Sequence, residues 1–470
     1  MDKKELTMAR DAAHIFAENQ VKIKYDNIPA GAIEATKKSI LDTLGGMLGA
    51  SGTIPGCREL ADLVKESGGR EESSILAFGG KVPAWMAAFV NGGMSHGLDY
   101  DDLHEGSQLH PSACCVAAGF AMAERLGKVS GKEFITAMAL GIDMACRMGM
   151  SVGGQARHFT TWHLSPTIGV FSSAATASKL LDLDEEKVID AFGIALCQAG
   201  FTFEVNAGIG SNLCGAYPGF PAKNGVLAAL MAQKGISGPK NSMNGKAGFF
   251  PVYFGGNYDR EILFSDLGKT FEGENVGFKF WPACGGTSPY IDTLLNVVKE
   301  HDIQPDDIEQ VTIGVGELDQ MLFEPLDARR TPTTPLDAKY SMPFTLAIAI
   351  ARRKVVIADY SDEGLNDPLV LDLAQKISPN LEKDVNSGYI GVGYLVELKT
   401  RDGKMYQERT GHAYGRIKNP MSMDDLVEKF RYCASVAVKP YADDAMEEVI
   451  KMLVGLEQVG DVGEVMRLLS

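Results

Sequence analysis

Two stretches, ACCVAAGFAMAERL at residues 113–126 and KEFITAMALGIDMACRM at residues 132–148, decide how this chain folds. In both, apolar side chains recur three and four positions apart, the period of one helix face. Ala, Gly, Cys and Met fill most other positions, so neighbouring helices must approach closely and cover nearly every side. The same texture extends outward. Residues 33–48 place Ile33, Ile40, Leu41, Leu44 and Leu48 on one face, and residues 168–181, 185–198 and 224–233 read as further helices. To about Gly248 the sequence therefore predicts a large all-α body.

Local signals sharpen some of these starts. His110-Pro111-Ser112 places Pro and an N-cap type residue ahead of the Ala-rich run, which puts His110 near a positively polarised helix end. Asp182-Leu183-Asp184-Glu185-Glu186 offers Asp184 as an N-cap with two glutamates in the first turn, where the helix dipole favours negative charge.

After Asn275 the pattern changes. Residues 309–315 alternate Val311, Ile313 and Val315 with smaller or polar neighbours, and residues 394–409 read as two strands around Arg401-Asp402-Gly403, a hairpin signal. Helical periodicity returns at residues 423–436 and 442–456. The expected architecture is mainly α, with a large all-helical domain built from both chain ends (1–274 and 413–470) and a smaller α+β lid domain at 275–412. A length of 470 residues fits two unequal domains, since one core rarely grows that large.

Composition narrows the partners. Hydrophobic residues are 45% and charged residues 23%, the usage of a folded globular chain, and the net charge is -16. Arg352-Arg353-Lys354 is the one compact basic run. Nucleic acid and anionic membrane are thus excluded over most of the surface, while a local group of His, Lys and Arg can still receive a small anion. Met1-Asp2-Lys3-Lys4-Glu5 is followed by no apolar signal region. Apolar runs such as residues 342–351 are about half the ~20 residues of a membrane helix. The eight cysteines, at 57, 114, 115, 146, 197, 214, 284 and 433, form no CxxC. They read as small core residues of a reduced, cytoplasmic protein, with Cys214 and Cys284 set apart in Gly-rich loops.

Five of the eight histidines, His96, His104, His110, His158 and His163, fall between positions 96 and 163. The densest stretch is NGGMSHGLDYDDLH at 91–104, followed by His110-Pro111, with glycines that let the backbone turn around the acidic group. Three readings fit it: a metal site, for which no HxH or HExxH spacing is present; helix caps and packed turns; or an acid/base site whose pKa values are displaced by burial. Spacing does not choose among them. A second group, HFTTWHLSPT at 158–167, is a loop entering an Ala-rich helix, where a His can face an anion. A third, GFKFWPACGGT at 277–287, sets Lys279 among aromatics as a desolvated carboxylate clamp or a snorkelling surface lysine.

Other motifs fall short. Gly208-Ile209-Gly210 follows only the short strand-like run 201–205 and has no acidic residue after it until Asp259, so the nucleotide fingerprint is incomplete. Two GxSxG matches, at 93–97 and 149–153, follow helical runs instead of the strand a nucleophile elbow needs. Gly268-Lys269-Thr270 lacks the upstream Gly of a phosphate loop.

Taken in order, ILDTLG at 40–45, AAFVNG at 87–92, HGLDYDD at 96–102, His110-Pro111-Ser112, TIGVF at 167–171, Phe278-Lys279 to PACG at 282–285, AKYSMP at 338–343 and NPMS at 419–422 resemble the MmgE/PrpD family across almost the whole chain. The resemblance implies a helical domain from both ends, an α+β lid, a homodimer and no metal or organic cofactor. It also implies proton transfer beside a carboxylate, as in 2-methylcitrate dehydratase, cis-aconitate decarboxylase and iminodisuccinate epimerase. A cofactor-independent lyase for a small di- or tricarboxylate is the leading expectation. An epimerase or isomerase of a small dicarboxylate is the alternative, and a non-catalytic carboxylate binder a second.

Carried over position by position, Asp99, His110, His163 and Lys279 are similar to the pocket residues of decarboxylase-like members. His110 and His163 are then the proton-transfer groups, Asp99 their orienter or a general base, and Lys279 a carboxylate clamp. His104, Asp102, Cys214, Tyr217, Ser288, Lys339 and Tyr340 are implied as substrate-contacting positions. Four positions depart from the family pattern: Leu103 replaces a Thr, Cys214 a Lys, Tyr217 a His and Ser288 a His. Lost cationic contacts, each worth about 1.5 to 3 kcal/mol as charged hydrogen bonds, point to a substrate with fewer or differently placed carboxylates than methylcitrate or cis-aconitate.

Overall fold

The computed structural model describes residues 10–156, 161–207, 211, 213–316, 319–382 and 391–470. Helix α1 (Ala30–Thr53) is buried without a break from Ser39 to Ser51, so helices surround it. Around it and each other pack α2 (Ala84–Ser95), α3 (Ser112–Leu126), α4 (Gly131–Ala156), α5 (Leu164–Leu180) and α6 (Gly219–Gln233). Small residues set the spacing, as expected. A Cβ on Gly92 of α2 would stand 2.9 Å from the Cα of Gly219 on α6, and one on Gly219 would stand 2.3 Å from the carbonyl of Phe89. That contact fixes the end of α2, where the site begins.

Three local expectations are corrected. Residues Gly131–Gly153 of α4 are long and apolar enough to cross a membrane, yet 94% of the apolar window is buried inside the protein, which makes α4 a core helix. Ser112 is the first residue of α3 and makes no cap; its N–H is instead accepted by Asp102 from the preceding loop. The run 201–205 forms no strand, only a single bridge from Thr202 to Trp162 before the short helix Glu204–Ala207. Asp184 does cap the helix Glu185–Leu196, accepting from the N–H of Lys187.

The C-terminal part starts where β1 (Leu103–His104) pairs antiparallel with β2 (Val276–Gly277). Then come α7 (Ser288–Glu300), β3 (Ile308–Val315), α8 (Met342–Arg352), β4 (Ile377–Leu381), β5 (Leu395–Thr400) and β6 (Met405–Arg409). The sheet order is β4-β3-β5-β6, with β3 and β4 parallel and the other pairs antiparallel. Val311, Ile313 and Val315 of β3 point into a core with Ile291, Leu294 and Phe344. Strand β4 carries Pro379, which an edge strand tolerates because one side of its ladder is unpaired.

Two more helices, α9 (Met423–Ser435) and α10 (Asp443–Val454), return to α1. Phe430 and Cys433 of α9 lie against Gly45 and Gly49, and Leu426, Val449 and Leu453 share one apolar cluster with Ile40, Leu44 and Met47. The chain's last helices thus share a core with its first ones. Among the described residues, Tyr217 is the one fully buried member of the C-terminal core drawn from before Ala283.

Candidate active site

The site is assembled by a turn and a short ladder. After α2 the chain turns at once, the N–H of Asp99 donating to the carbonyl of His96 at 2.8 Å. Asp99 takes φ 49°, a left-handed conformation that Asp tolerates better than most residues. The β1–β2 ladder sets Leu103 opposite Gly277, and Asp101 and Lys279 each lie two residues from that pair along the chain. The Lys279 ammonium donates to the Asp99 carboxylate and, at 3.0 Å, to its carbonyl, and lies 3.8 Å from Asp101 Oδ1.

Imidazoles close around the two carboxylates. His96 Nδ1 is 2.8 Å from Asp101 Oδ1, while His110 Nδ1 is 3.3 Å from Asp101 Oδ2 and 2.6 Å from the carbonyl of Asp102. A carbonyl oxygen only accepts, so His110 Nδ1 carries a hydrogen and the neutral ring keeps its lone pair on Nε2. The His96 and His110 rings lie 4.7 Å apart; Tyr217 follows at 4.9 Å from His96, and His163 at 4.5 Å from Tyr217. His163 immediately precedes α5, its N–H held by the carbonyl of Phe201 at 2.9 Å and its own carbonyl by the hydroxyl of Thr167.

Burial dominates the electrostatics. Desolvation pushes His110 down to about 4 and His163 well below its ordinary value, the neighbouring imidazoles adding to the effect on His163. Both are neutral at pH 7. Burial also opposes the charge on Lys279, but Asp99 and Asp101 outweigh it and hold the ammonium protonated. For Asp101, burial is outweighed by His110, His96 and Lys279, which hold the carboxyl well below the usual range. The firm charges are therefore the Lys279 ammonium and the Asp101 carboxylate, beside the neutral imidazoles of His110 and His163.

The remaining expected residues divide. Tyr217 stands between His96 and His163, joining the two histidine groups. Lys339 is buried, its ammonium 3.2 Å from the carbonyl of Pro282 and 4.1 Å above the Tyr360 ring. Desolvation pushes it down to about 7, and Asp99 and Lys279 are among the charges it feels. It borders a cavity of about 310 Å³ whose walls also include Thr53, Tyr360 and Ser361. Tyr340 is buried just ahead of α8. Ser288 is buried at the start of α7, and its Oγ has no hydrogen-bond partner among the described residues.

Two residues are turned elsewhere. His104 belongs to β1, with Ser107 Oγ 2.9 Å from its Nδ1 and Glu272 3.9 Å from its Nε2. Burial pushes it down to about 4. The Asp102 carboxylate accepts from the Ser112 hydroxyl, and burial raises its pKa well above the ordinary range, so only its carbonyl serves the cluster. The Cys214 side chain, His158 and the Gly208–Gly210 loop lie outside the described residues. His96, Asp101 and Lys429 are additions. The first two stand in the densest His and Asp stretch, 91–104, whose spacing does not say which of its side chains meet.

Single ligand atoms of His96, Asp99 and His110 lie within 4.8 Å of one another, a spacing that fits a metal ion. Asp99 Oδ1, however, is already engaged by the Lys279 ammonium, a cation that repels a second one at the same carboxylate. Fold and site together define a mainly α protein with a desolvated acid/base centre.

This chain belongs to the MmgE/PrpD family: the MmgE/PrpD N-terminal domain matches residues 14–261 and the MmgE/PrpD C-terminal domain residues 281–454. It is 27% identical to human cis-aconitate decarboxylase (Homo sapiens) over 98% of this chain and 95% of that one. It is 24% identical to Aspergillus terreus cis-aconitate decarboxylase, with 95% and 93% covered, and 24% identical to Salmonella typhimurium 2-methylcitrate dehydratase, with 87% of each covered.

Proposed function

We propose that this chain is a lyase that breaks a bond next to a carboxylate of a small di- or tricarboxylate, releasing either carbon dioxide or water. The observation that carries the reading is the line His110–His96–Tyr217–His163 beside the Lys279–Asp99 pair. A charged ammonium and dry neutral imidazoles are the two components such chemistry needs.

In the decarboxylating form, the carbon–carbon bond to one carboxylate breaks and carbon dioxide leaves. The electron pair passes into the remaining conjugated carboxylate, held by Lys279, and an imidazolium returns a proton to carbon. In the dehydrating form, a neutral imidazole removes the proton beside the carboxylate, and a protonated partner delivers one to the departing hydroxyl. The substrate's own charge supplies the acid. An anion beside His110 and His163 favours their protonated forms against desolvation, so binding draws protons in.

The nonfamily residues Leu103, Cys214, Tyr217 and Ser288 favour a substrate with fewer or differently placed carboxylates than methylcitrate or cis-aconitate. The chain supplies its own cation at Lys279, which supports action without a metal or organic cofactor. Its C-terminal part then serves as a lid, a homodimer is the working form, and free buried thiols such as Cys114, Cys115 and Cys146 suit the cytoplasm.

The test is incubation of purified protein in deuterated water with a panel of di- and tricarboxylates, followed by NMR. A new unsaturated, hydrated or decarboxylated product is expected. Deuterium exchange with no new product moves the assignment to an epimerase, and binding with neither moves it to a non-catalytic binder. Turnover of methylcitrate or cis-aconitate at the relatives' rates overturns the substrate assignment.

A further inference from the structure

We infer that Lys429, a residue of α9, is a positioning residue that holds the two halves of the Asp99–Lys279 centre in register; the inference rests on the lyase reading. Its ammonium donates to the carbonyl of Tyr100 at 2.6 Å and to that of Lys279 at 2.8 Å, and it pairs with Asp42 of α1 at 2.6 Å. An ammonium has three hydrogens; two go to the two carbonyls, and the charge faces the Asp42 carboxylate. Tyr100 is the residue between Asp99 and Asp101, so one buried group grips the backbone of the acidic turn and of the lysine it faces. The Tyr100 hydroxyl adds a second tie to the carbonyl of Phe280 at 2.7 Å, and the Lys429 ammonium rests 3.7 Å above the Tyr100 ring.

Stability alone does not call for a charge here, because a buried ion pair replaced by apolar groups is often neutral or better. What an apolar side chain cannot do is bind two carbonyls from segments far apart in sequence. A second lysine shows the contrast. Lys37 also joins α1 to the C-terminal helices, through the carbonyl of Val454 at 2.9 Å and Glu457 at 3.3 Å. It performs the same docking with no site residue attached.

The decisive variant is the double substitution Asp42→Asn with Lys429→Met, which removes both buried charges and avoids stranding one. It is expected to fold cooperatively and to lose about 100-fold in kcat with KM changed much less, the scale of an ångström-sized misplacement. Lys429→Arg, which keeps the charge and has donors for both carbonyls, is expected to recover at least about tenfold of that loss. Lys37→Met is expected to lower stability and leave kcat unchanged. Wild-type kcat in the double variant, or an equal loss in Lys37→Met, overturns the inference. If the wild-type protein turns over no carboxylate in the panel, the lyase reading fails by itself. The positioning role is then decided by the imidazole NMR signals of His96 and His110, which are expected to shift in the double variant and overturn the inference if unmoved.

Discussion

Two buried ion pairs, Asp143–Arg147 on α4 and Asp99–Lys279 across the β1–β2 ladder, use the same chemistry and differ in what is left over. Arg147 Nε lies 3.0 and 2.9 Å from the two oxygens of Asp143, and its other nitrogens reach the carbonyls of Ser265 at 2.8 Å and Thr270 at 2.9 Å. Asp143 also accepts the N–H of Glu272 at 2.8 Å. That network is saturated. At the other pair, neither Asp99 Oδ2 nor Asp101 Oδ2 has a hydrogen-bond partner among the described residues; His110 Nδ1 lies 3.3 Å from the latter, but its hydrogen goes to the Asp102 carbonyl. A buried polar group left short of partners is costly. At this pair the open oxygens face the imidazoles, where a ligand can complete them.

Substitution separates the two kinds of network. His163→Ala is expected to cut turnover by about 10²- to 10⁴-fold, the usual contribution of a proton-transfer group, measured as kcat per folded molecule. Arg147→Met strands Asp143 in the core and is expected to cost about 3 to 5 kcal/mol of stability in chemical denaturation, with kcat per folded molecule unchanged. Comparable activity losses for both would erase the distinction between a saturated scaffold and an unsaturated site.

The helices were legible because their small, periodic side chains leave one physical solution, and β3, β5 and β6 because alternation and Arg401-Asp402-Gly403 announce them. Strand β4 was hidden by Pro379, which ordinarily argues against a strand and is acceptable only at an edge. Asp99, His110, His163 and Lys279 could be singled out through ordered motifs, but nothing in their spacing says which carboxylate meets which imidazole. That depends on the β1–β2 register, which also brings in Asp101 and points His104 towards Ser107 and Glu272. Lys429 gave no signal at all, since its role rests on two backbone carbonyls and backbone atoms are the same in every sequence.

Acid titration probes the same contrast within the histidines. His104 and His110 both titrate at about 4 because burial disfavours their charged forms, against about 6.5 in an unfolded chain. Between these values the unfolded chain binds the extra proton. Each residue's contribution to stability is therefore full above about pH 6.5 and lost as pH falls towards 4, by up to roughly 3 kcal/mol. NMR is expected to show both rings neutral at pH 6. Adding a dicarboxylate that binds should then move His110 towards its protonated signal and leave His104 in place, since His110 borders the Asp99–Lys279 centre and His104 faces Ser107 and Glu272. A shift of His104 alone would reverse the assignment of the two.

The smallest effect is the sharpest, because it compares two hydroxyls in the same bonding state. Ser173 on α5 and Ser288 on α7 are both buried, and the Oγ of each has no hydrogen-bond partner among the described residues. Changing either to Ala removes an unsatisfied polar atom, so stability should stay level or rise by up to about 1 kcal/mol. Ser173 lies in the close contact between α5 and Gly225 on α6, and its loss should leave KM alone. Ser288 follows the Cys284–Gly285 loop, where a Cβ on Gly285 would stand 3.7 Å from Cε of Lys279. If its hydroxyl is spared for the substrate, Ser288→Ala should raise KM by about threefold to tenfold, one neutral hydrogen bond's worth, at unchanged melting temperature. Equal KM values in the two variants would make the Ser288 hydroxyl a packing remnant like that of Ser173, and would take Ser288 out of the substrate's reach.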